Sequence, residues 1–513
     1  THLLFVDAGN DKVGIGTDSP YYKTDIRFAN TNTSFSGGTN GNWGSNGLRI
    51  ENTSDTNGTM AAIHLRNELA DIHIAGIRTG ANTSSLGIFF EGNARMKLDD
   101  NSRISLSNND SGTDNTLFGK LAGSSIASGG NYNVALGSLA LQTHTTGDRN
   151  IAIGYAAMNN TDAGSTSLDS SDNVFIGYGA GSGAWTNTSC QYNVGIGSNV
   201  MDSPLDGALF NTAMGYSALS AITTADNMVA IGTGALQEQT TGEGNIAIGR
   251  ASMNVHGTGS YNIAIGNFAM DDTNAGSTSA GSTHNIFIGN SAGGGTWTNV
   301  ASNYNVGIGN YSMDSALDGA LNNTSIGYNS LSAITTGDNN VATGHNALDA
   351  LTIGHSNVAV GQGALSSEVE AYAITAIGAG VFSNANRNGG SATGSAILNA
   401  QVGIGYIAGA NTTTGNTNTF IGAYSAVANT TGSRNVTLGY ASLQTATTST
   451  DCVVIGNEAM AHAQAGQAYN GVVAIGKDAV KGNSSSTTTG INGTVGIGMD
   501  ALTAITTGVG NTA

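Results

Sequence analysis

The stretch Gly244 to Met270, GNIAIGRASMNVHGTGSYNIAIGNFAM, contains the phrase Asn-Ile-Ala-Ile-Gly twice. The two phrases end at Gly249 and Gly266, seventeen residues apart. Nearly all of the chain after residue 111 repeats this phrase, in 21 copies separated by 17 to 27 residues. A short repeat of this kind predicts a solenoid, in which each repeat forms one coil and buries its apolar side against the next.

Positions in a coil are numbered here from the final Gly of the phrase, which is position 0. Position −3 is Val, Ile or Thr in all 21 copies and position −1 is apolar in 20, so both favour an extended chain and lie on one side of a strand. We expect that side to face the interior of the coil. Position −2 would then face outward, yet it is never charged and is mostly Ala, Gly or Phe. This pattern predicts that position −2 packs against other copies of the same chain around a common axis, which is the trimer axis under the resemblance given below, through Ala135, Ala152, Phe175, Ala247, Ala264, Phe287, Ala359 and Phe420.

The remaining positions of the phrase indicate how the coil closes. Position −4 is Asn in 15 of the 21 copies, which predicts a hydrogen-bonded ladder of amides at a corner. The Gly itself is expected to form a bend. Small residues at +3 and apolar residues at +4 predict a second short strand, followed by a turn that often reads Thr-Thr-Gly. Methionines recur at +4 and are interpreted as a core column, at Met158, Met201, Met253, Met270, Met313 and Met460.

The pattern Asn-Val-Ala-Ile-Gly-x-x-Ala-Leu, followed by Thr-Thr-Gly, resembles the head repeats of trimeric autotransporter adhesins of the YadA type. It is also similar to repeats found in bacteriophage tail fibres, and residues 13–20 are similar to a linking segment of such fibres. The resemblance covers about 400 residues and implies a left-handed parallel β-roll assembled as a homotrimer. The coils here are longer than those of the adhesins. A phage fibre would be located on the virion, with other tail proteins and a host cell-surface glycan or receptor as its partners.

The sequence divides into three segments. Residues 1–20 are predicted to form a β linker segment with a hairpin at Gly9-Asn10-Asp11, and residues 21–110 a small antiparallel β domain. Residues 111–513 form the predicted all-β solenoid of 21 coils. Within it, the same series of six steps runs over residues 154–266 and again over 266–378, so a 112-residue superrepeat is predicted. The chain ends on a truncated phrase, and we expect the natural protein to continue.

Composition excludes several functional classes. The net charge is −18, with a pI of about 4.6, so binding to nucleic acid is not expected. No apolar run of 18 residues is present, and we predict no insertion into a membrane. Cys190 and Cys452 lack the spacing of a disulfide or zinc framework and are interpreted as buried thiols.

The sequence offers little support for catalysis or a cofactor. The Gly-x-Gly pairs belong to the repeat, and no predicted helix follows them, so we predict no nucleotide site and no enzyme activity. The scattered histidines are interpreted as structural. Acidic residues at a recurring turn could either line up as a cation ladder or remain solvated; they are Asp148, Asp226, Glu243 and Asp338.

The aromatic residues of the longer coils are the candidate ligand contacts. Trp185 and Trp297 occupy equivalent places in the two superrepeats, and Tyr192 and Tyr304 follow in the same loops. These four residues are predicted to contact a host glycan, and the alternative is that the rings close their own loops. The leading hypothesis is therefore a homotrimeric phage tail fibre that mediates attachment. Alternatives are a bacterial trimeric surface adhesin, a fibre that depolymerises surface polysaccharide and, with less support, an ice-binding roll.

Overall fold

A computed structural model describes residues 4–9, 12–15, 24–26, 60–67, 70–80, 83–90, 93–98, 104–105, 112–162, 169–186, 188–273, 281–384, 400–464, 467–482 and 490–513. The chain forms two compact units, Thr1–Asn109 and Asp110–Ala513. All elements of regular structure in the described part of both units are β-strands.

The first unit contains two sheets. Strands β1 (Phe5–Asp7) and β2 (Lys12–Ile15) pair antiparallel, which confirms the hairpin predicted around Gly9, and β3 (Thr24–Ile26) pairs parallel to β2. The second sheet is antiparallel and has the order β4-β5-β6-β7-β8. Its strands are β4 (Met60–Asn67), β5 (Ala70–Gly80), β6 (Thr83–Phe90), β7 (Asn93–Leu98) and β8 (Ile104–Ser105). The small antiparallel domain is therefore confirmed. The sequence also predicts a strand at Leu48–Glu51, and these residues lie outside the described part of the chain.

The second unit is a β-solenoid in which 21 strands stack in one parallel sheet, as the repeat predicts. Each strand pairs in register with the next strand in the chain, so that position −2 of one coil lies beside position −2 of the following coil. The strands are β9 (Thr116–Phe118), β10 (Val134–Leu136), β11 (Ile151–Ile153), β12 (Val174–Ile176), β13 (Val194–Ile196), β14 (Thr212–Met214), β15 (Val229–Ile231), β16 (Ile246–Ile248), β17 (Ile263–Ile265), β18 (Ile286–Ile288), β19 (Val306–Ile308), β20 (Thr324–Ile326), β21 (Val341–Thr343), β22 (Val358–Val360), β23 (Ile374–Ile377), β24 (Gln401–Ile404), β25 (Thr419–Ile421), β26 (Val436–Leu438), β27 (Val453–Ile455), β28 (Val473–Ile475) and β29 (Val495–Ile497).

The Gly that follows each strand is required by both conformation and space. Gly249 has a φ of 137°, which side chains of L-residues rarely adopt. A Cβ on this residue would also lie 2.3 Å from the carbonyl oxygen of Gly266 in the next coil. The column of glycines therefore lets successive coils approach at the bend.

The residues that follow the Gly form turns, so the predicted second strand is wrong. Ala251 at +2 and Met253 at +4 both have left-handed φ angles, 52° and 48°, which an extended chain does not adopt. These turns fold the small +3 and apolar +4 side chains into the coil. The six methionines at +4 are all fully buried, which confirms the predicted core column.

An amide ladder fixes the corner before each strand, as predicted. The Oδ1 atom of Asn245 accepts hydrogen bonds from the backbone nitrogen of Asn262, at 2.8 Å, and from its Nδ2 atom, at 3.1 Å. The same Nδ2 atom donates to the carbonyl of Ser282. Each buried Asn thus satisfies polar groups of two coils, which keeps the corner free of uncompensated buried donors.

Candidate functional site

The structure reverses the predicted sides of the strand. In β17, Ala264 at position −2 is fully buried within a single chain, whereas Ile263 and Ile265 are partly exposed. The eight residues assigned to a trimer axis are all at 0 % exposure inside the coil, so that assignment is wrong: Ala135, Ala152, Phe175, Ala247, Ala264, Phe287, Ala359 and Phe420. Because position −4 lies on the same side of the strand as position −2, the Asn ladder and the small residues line the interior together.

The side chains at −3 and −1, mostly Val and Ile with Thr in several coils, form what we call the strand face. It runs along all 21 strands of the second unit, and no copy carries a charged residue at either position. Ile326, for example, is 42 % exposed. With about 4.8 Å between coils and about 7 Å for two residues of a strand, the face is about 100 Å long and on the order of 700 Å² in area. A typical soluble monomer exposes apolar patches of a few hundred Å².

Two edges border the strand face, at position −5 on one side and position +1 on the other. Exposed tyrosines of the described solenoid lie at these two positions or at +2. At −5 they are Tyr132, Tyr192, Tyr261 and Tyr304; at +1 they are Tyr155, Tyr178, Tyr216, Tyr328, Tyr406 and Tyr440; at +2 there is Tyr311. Tyr combines an apolar ring with a polar tip, which suits the margin of a buried contact.

Positive charge is concentrated on the same edges. Of the six Lys and Arg that the structure describes in the solenoid, the one away from the edges is Lys481, whose amino group pairs with Asp478 at 2.8 Å. The other five lie at −5 or +1: Lys120, Arg149, Arg250, Arg434 and Lys477. Most acidic residues lie elsewhere on the coil, so the edges differ in charge from the rest of an acidic surface.

Side chains on the −5 edge contact one another along the solenoid. The guanidinium of Arg149 makes two hydrogen bonds to Asp172 of the next coil, at 2.6 and 2.8 Å, and this contact lowers the pKa of the Asp172 carboxyl. The rings of Tyr192 and Phe210 stack with centroids 5.0 Å apart. In the second superrepeat, the ring of His284 lies between two tyrosine rings at 5.2 Å from each, those of Tyr261 and Tyr304.

The two tryptophans are not available to a ligand. Trp185 and Trp297 are fully buried and pack edge-on against Phe175 and Phe287, with centroids 5.9 and 6.0 Å apart. The indole nitrogen of Trp297 donates to the carbonyl of Gly293 at 3.1 Å. The predicted stacking role of these rings is wrong because the extra residues of the long coil enlarge its interior, and the indole fills that space.

The predicted tyrosine contacts remain accessible. Tyr192 is 49 % exposed and Tyr304 is 56 % exposed, both on the −5 edge. Their faces are partly taken by the neighbouring rings, so a ligand would meet mainly ring edges and hydroxyl groups. The structure therefore separates the four predicted glycan contacts into two interior and two edge residues.

The acidic turn residues hold the corner of the coil. Oδ1 atoms of Asp148, Asp226 and Asp338 accept hydrogen bonds at 2.7 Å from backbone nitrogens of the preceding coil, at Asn131, Leu209 and Leu321 respectively. These contacts give the three Asp carboxylates a hydrogen-bonding role between successive coils, and the Glu243 carboxylate accepts from the hydroxyl of Tyr261. In the described part of the chain, no group of three or more His, Cys, Asp or Glu is arranged to hold a metal ion.

Two histidines at equivalent positions of the coil, His144 and His256, lie inside the solenoid 112 residues apart. Burial lowers the pKa of His256 to about 4, and it also lowers the pKa of His144. The Nδ1 atom of each ring is hydrogen-bonded to a Thr hydroxyl of the next coil, Thr273 for His256 and Thr161 for His144. Neutral imidazoles are therefore part of the core, in agreement with the structural role predicted for them.

The thiols of Cys190 and Cys452 are buried and free, as predicted. Burial raises the pKa of the Cys190 thiol to about 12 and that of the Cys452 thiol to about 11, which makes both poor nucleophiles. Across the described residues, the structure contains no helix long and apolar enough to cross a membrane.

No protein-family model, curated protein or solved structure matches this chain.

Proposed function

We propose that this protein is a structural attachment fibre of the phage tail-fibre type, a homotrimer whose solenoids associate through their strand faces. The observation that carries the proposal is the uncharged strand face, which continues through every coil and stays open to water in a single chain. Apolar surface of this extent is unfavourable in water and is typical of an interaction site.

A second copy of the same chain is the partner that fits this face best. The Val and Ile side chains repeat at the spacing of the coils, about 4.8 Å, over about 100 Å. A partner that covers the face along its length has to share that spacing. Its area of roughly 700 Å², before the edges are counted, approaches the 800 Å² per partner of a stable protein interface.

The distribution of charge supports self-association at this face. With a net charge of −18, copies of the chain repel one another at most orientations. The strand face is free of charge, and its edges carry five of the six described basic residues of the solenoid. Approach through this face therefore keeps the acidic surfaces apart. Three chains, the number that the resemblance implies, would place one strand face each around a common axis.

The proposal assigns attachment to a host cell surface, in a virion or other extracellular setting, without catalysis. Tyr192 and Tyr304 remain the candidate glycan contacts, now as members of the −5 edge. Three copies would present each of them three times, so that weak contacts add through multivalency. Other tail proteins would connect the fibre to the virion.

The oligomer is tested by light scattering on the purified chain, which is expected to give three chains per particle. Ile265→Glu places a carboxylate on the strand face and should yield folded single chains, because burying three like charges costs several kcal/mol. Ala264→Glu, one residue away, places the carboxylate inside the coil and should unfold it locally even in single chains. Thr241→Glu, at an exposed turn, is the control and should change neither property.

A stable, soluble monomer of the unchanged chain would overturn the trimer. Attachment is tested separately by adding labelled trimer to surface polysaccharides isolated from a panel of bacteria. Retained binding without release of oligosaccharide is expected, and release would indicate an enzyme. Failure to bind any of these surfaces would remove the attachment role and leave a structural shaft.

A further inference from the structure

Rings at position +1 stack on one another when they occupy successive coils. The rings of Tyr155 and Tyr178 lie 5.3 Å apart with 13° between their planes, and those of Tyr328 and His345 lie 5.5 Å apart with 10°. The coil spacing of about 4.8 Å suits such stacks, so each ring covers one face of its neighbour. A ligand that binds to aromatic faces therefore needs a place where the stack is interrupted.

The +1 edge is interrupted in this way between Tyr406 and Tyr440. These two residues lie at +1 two coils apart, and the +1 residue of the coil between them is Ala423, which is too small to fill the place of a ring. In that middle coil the ring belongs to Tyr424, at +2. The backbone keeps the coils in step here, because the amide of Tyr424 donates to the carbonyl of Tyr406 and that of Ala441 to the carbonyl of Ala423, both at 2.9 Å.

The rings of Tyr406, Tyr424 and Tyr440 form what we call the tyrosine notch, with two walls and a floor. The Tyr406 and Tyr440 rings stand at 75° and 73° to the ring of Tyr424, with centroids 5.5 and 5.7 Å from it. Both distances exceed half of the two-coil span, about 9.6 Å, so the Tyr424 ring lies to one side of the line between the other two. Tyr406 and Tyr440 are 53 % and 50 % exposed, whereas Tyr424 is partly buried and forms the floor.

The faces of these rings favour a cation. An aromatic face carries partial negative charge and attracts a cation that comes within about 6 Å of its centroid. The same edge already holds such a contact within the chain, because the guanidinium of Arg250, at +1, lies 4.4 Å from the centroid of the Phe268 ring, at +2 of the next coil. Tyr424 has the position of Phe268, and Tyr406 stands in place of the arginine. The net charge of −18 also attracts cations to this surface.

We propose that the tyrosine notch binds a quaternary ammonium group of the kind that choline carries. Such a group is compact, spreads its charge over its methyl groups and has no N–H that needs a hydrogen-bond acceptor, so it can contact all three rings at once. An ammonium group with N–H donors, such as that of a lysine side chain, would have to give up hydrogen bonds to water in the same place. All three rings belong to one chain, so the site does not depend on the proposed homotrimer.

Binding is measured by ligand-observed NMR titration of the purified protein with choline. The comparison ligand is the neutral isostere of choline, in which carbon replaces the nitrogen. Both have the same shape, so a difference between them reports the charge. Choline should bind about tenfold more tightly than the isostere, because the isostere keeps the apolar contacts and lacks the attraction to the ring faces.

Ala423→Leu fills the notch and leaves the three rings in place, so it should weaken choline binding by about tenfold. Tyr424→Leu removes the floor and should have a similar effect, whereas Tyr424→Phe keeps the ring and should bind within about twofold of the unchanged protein. The melting temperature of each variant is measured in parallel, so that a loss of binding is interpreted in folded protein.

The matched control is Ser198→Leu. Ser198 lies at +1 between Tyr178 and Tyr216, the same arrangement of two wall rings two coils apart, but the +2 residue of its coil is Asn199. Without a ring as its floor, this place should not bind choline. Ser198→Leu should therefore leave choline binding unchanged.

Two further arms identify the source of the group, a soluble polymer that carries phosphocholine and vesicles of phosphatidylcholine. Binding to either that is lost in Ala423→Leu supports the notch and shows whether the group is presented by a polymer or by a lipid. Equal binding of choline and its isostere, or choline binding that survives Ala423→Leu, would overturn the inference.

Failure of the unchanged protein to bind choline would also overturn it and would leave the proposed fibre intact. A single-chain protein would overturn the homotrimer and leave choline binding at the notch as expected.

Discussion

A Cβ atom placed on Gly195 would lie 2.6 Å from the ring of Phe175 in the preceding coil. Gly307 has the same relationship to Phe287, at 2.5 Å. Large and small residues at position −2 are therefore neighbours inside the solenoid, and the ring occupies the space that the Gly leaves. The mixture of Ala, Gly and Phe at this position reflects packing between successive coils of one chain.

Gly195→Ala should lower the free energy of unfolding by about 1–3 kcal/mol, because the added methyl group overpacks a core that the Phe175 ring already fills. In a chain that also carries Phe175→Leu, the same Ala substitution should cost much less. Thermal unfolding of the wild type, both single variants and the double variant measures this coupling. Additive effects of the two substitutions would show that the ring and the Gly do not compete for space.

Trp297→Ala should destabilise the long coil by about 3–5 kcal/mol, since it removes a fully buried indole and leaves a cavity. Trp297→Phe keeps a ring against Phe287 and should cost less, although it removes the hydrogen bond to the carbonyl of Gly293. Thermal unfolding reports the loss, and glycan binding by the folded variants should be unchanged. Normal stability together with weaker binding would restore the ligand role of this residue.

Acid should destabilise the solenoid through His256. Its pKa is about 4 in the folded chain and 6.5 when unperturbed, so the unfolded chain binds the proton more tightly. The neutral ring contributes fully to the free energy of unfolding above pH 6.5. As the pH falls toward 4, this contribution is lost, and the loss amounts to roughly 3 kcal/mol. His256→Gln, which copies the Gln239 found at the equivalent place one coil earlier, should reduce this loss.

The difference in melting temperature between wild type and His256→Gln, followed from pH 7.5 to 4.5, isolates this effect from that of the carboxylates. Asp271 has the opposite influence, because burial, with Asp272 nearby, raises its pKa to about 6. That contribution is common to both chains and cancels in the difference. A pH-independent difference would mean that His256 stays accessible to protons in the fold.

Asp226→Ala should lower stability by about 1 kcal/mol, because the backbone nitrogen of Leu209 loses its acceptor. Asp226→Asn keeps an oxygen at that place and should be nearly neutral. A chelator should not shift the melting temperature of the unchanged chain. If Asp226→Asn lowered the melting temperature as much as Asp226→Ala, and a chelator lowered that of the unchanged chain by a similar amount, the turn would hold a cation.

The repeat is sufficient to predict the solenoid, its parallel pairing and the Asn corner, because each depends on residues that recur in every coil. The two sides of the strand are harder to distinguish, since both are apolar. The sequence favours the larger β-branched residues for the interior, and the structure shows them outside. Two signals point the other way: the Asn at −4 shares a side with −2, and Phe175 is followed by Gly195 in the next coil.

The residues after the bend resemble a second strand in sequence because a small residue at +3 is followed by an apolar residue at +4. Their left-handed φ angles belong to turns. Such angles are rare for non-glycine residues, so Met253 and its equivalents do not indicate a turn in the sequence. The tryptophans are misleading for a related reason. A recurrent aromatic residue in a long loop resembles a binding group in sequence, and its burial at Trp185 depends on Phe175 in the preceding strand.

The in-register pairing of consecutive strands also makes the length of this protein adjustable in units. Because each coil bonds to the one before and the one after, removing residues 250–266 would rejoin Gly249 to Asn267 and restore the same phrase in phase. The opposite change, the insertion of six coils, would produce the arrangement seen across residues 154–378, where the 112-residue series occurs twice. A lineage could thus lengthen or shorten its reach in steps of about 4.8 Å without redesigning a core.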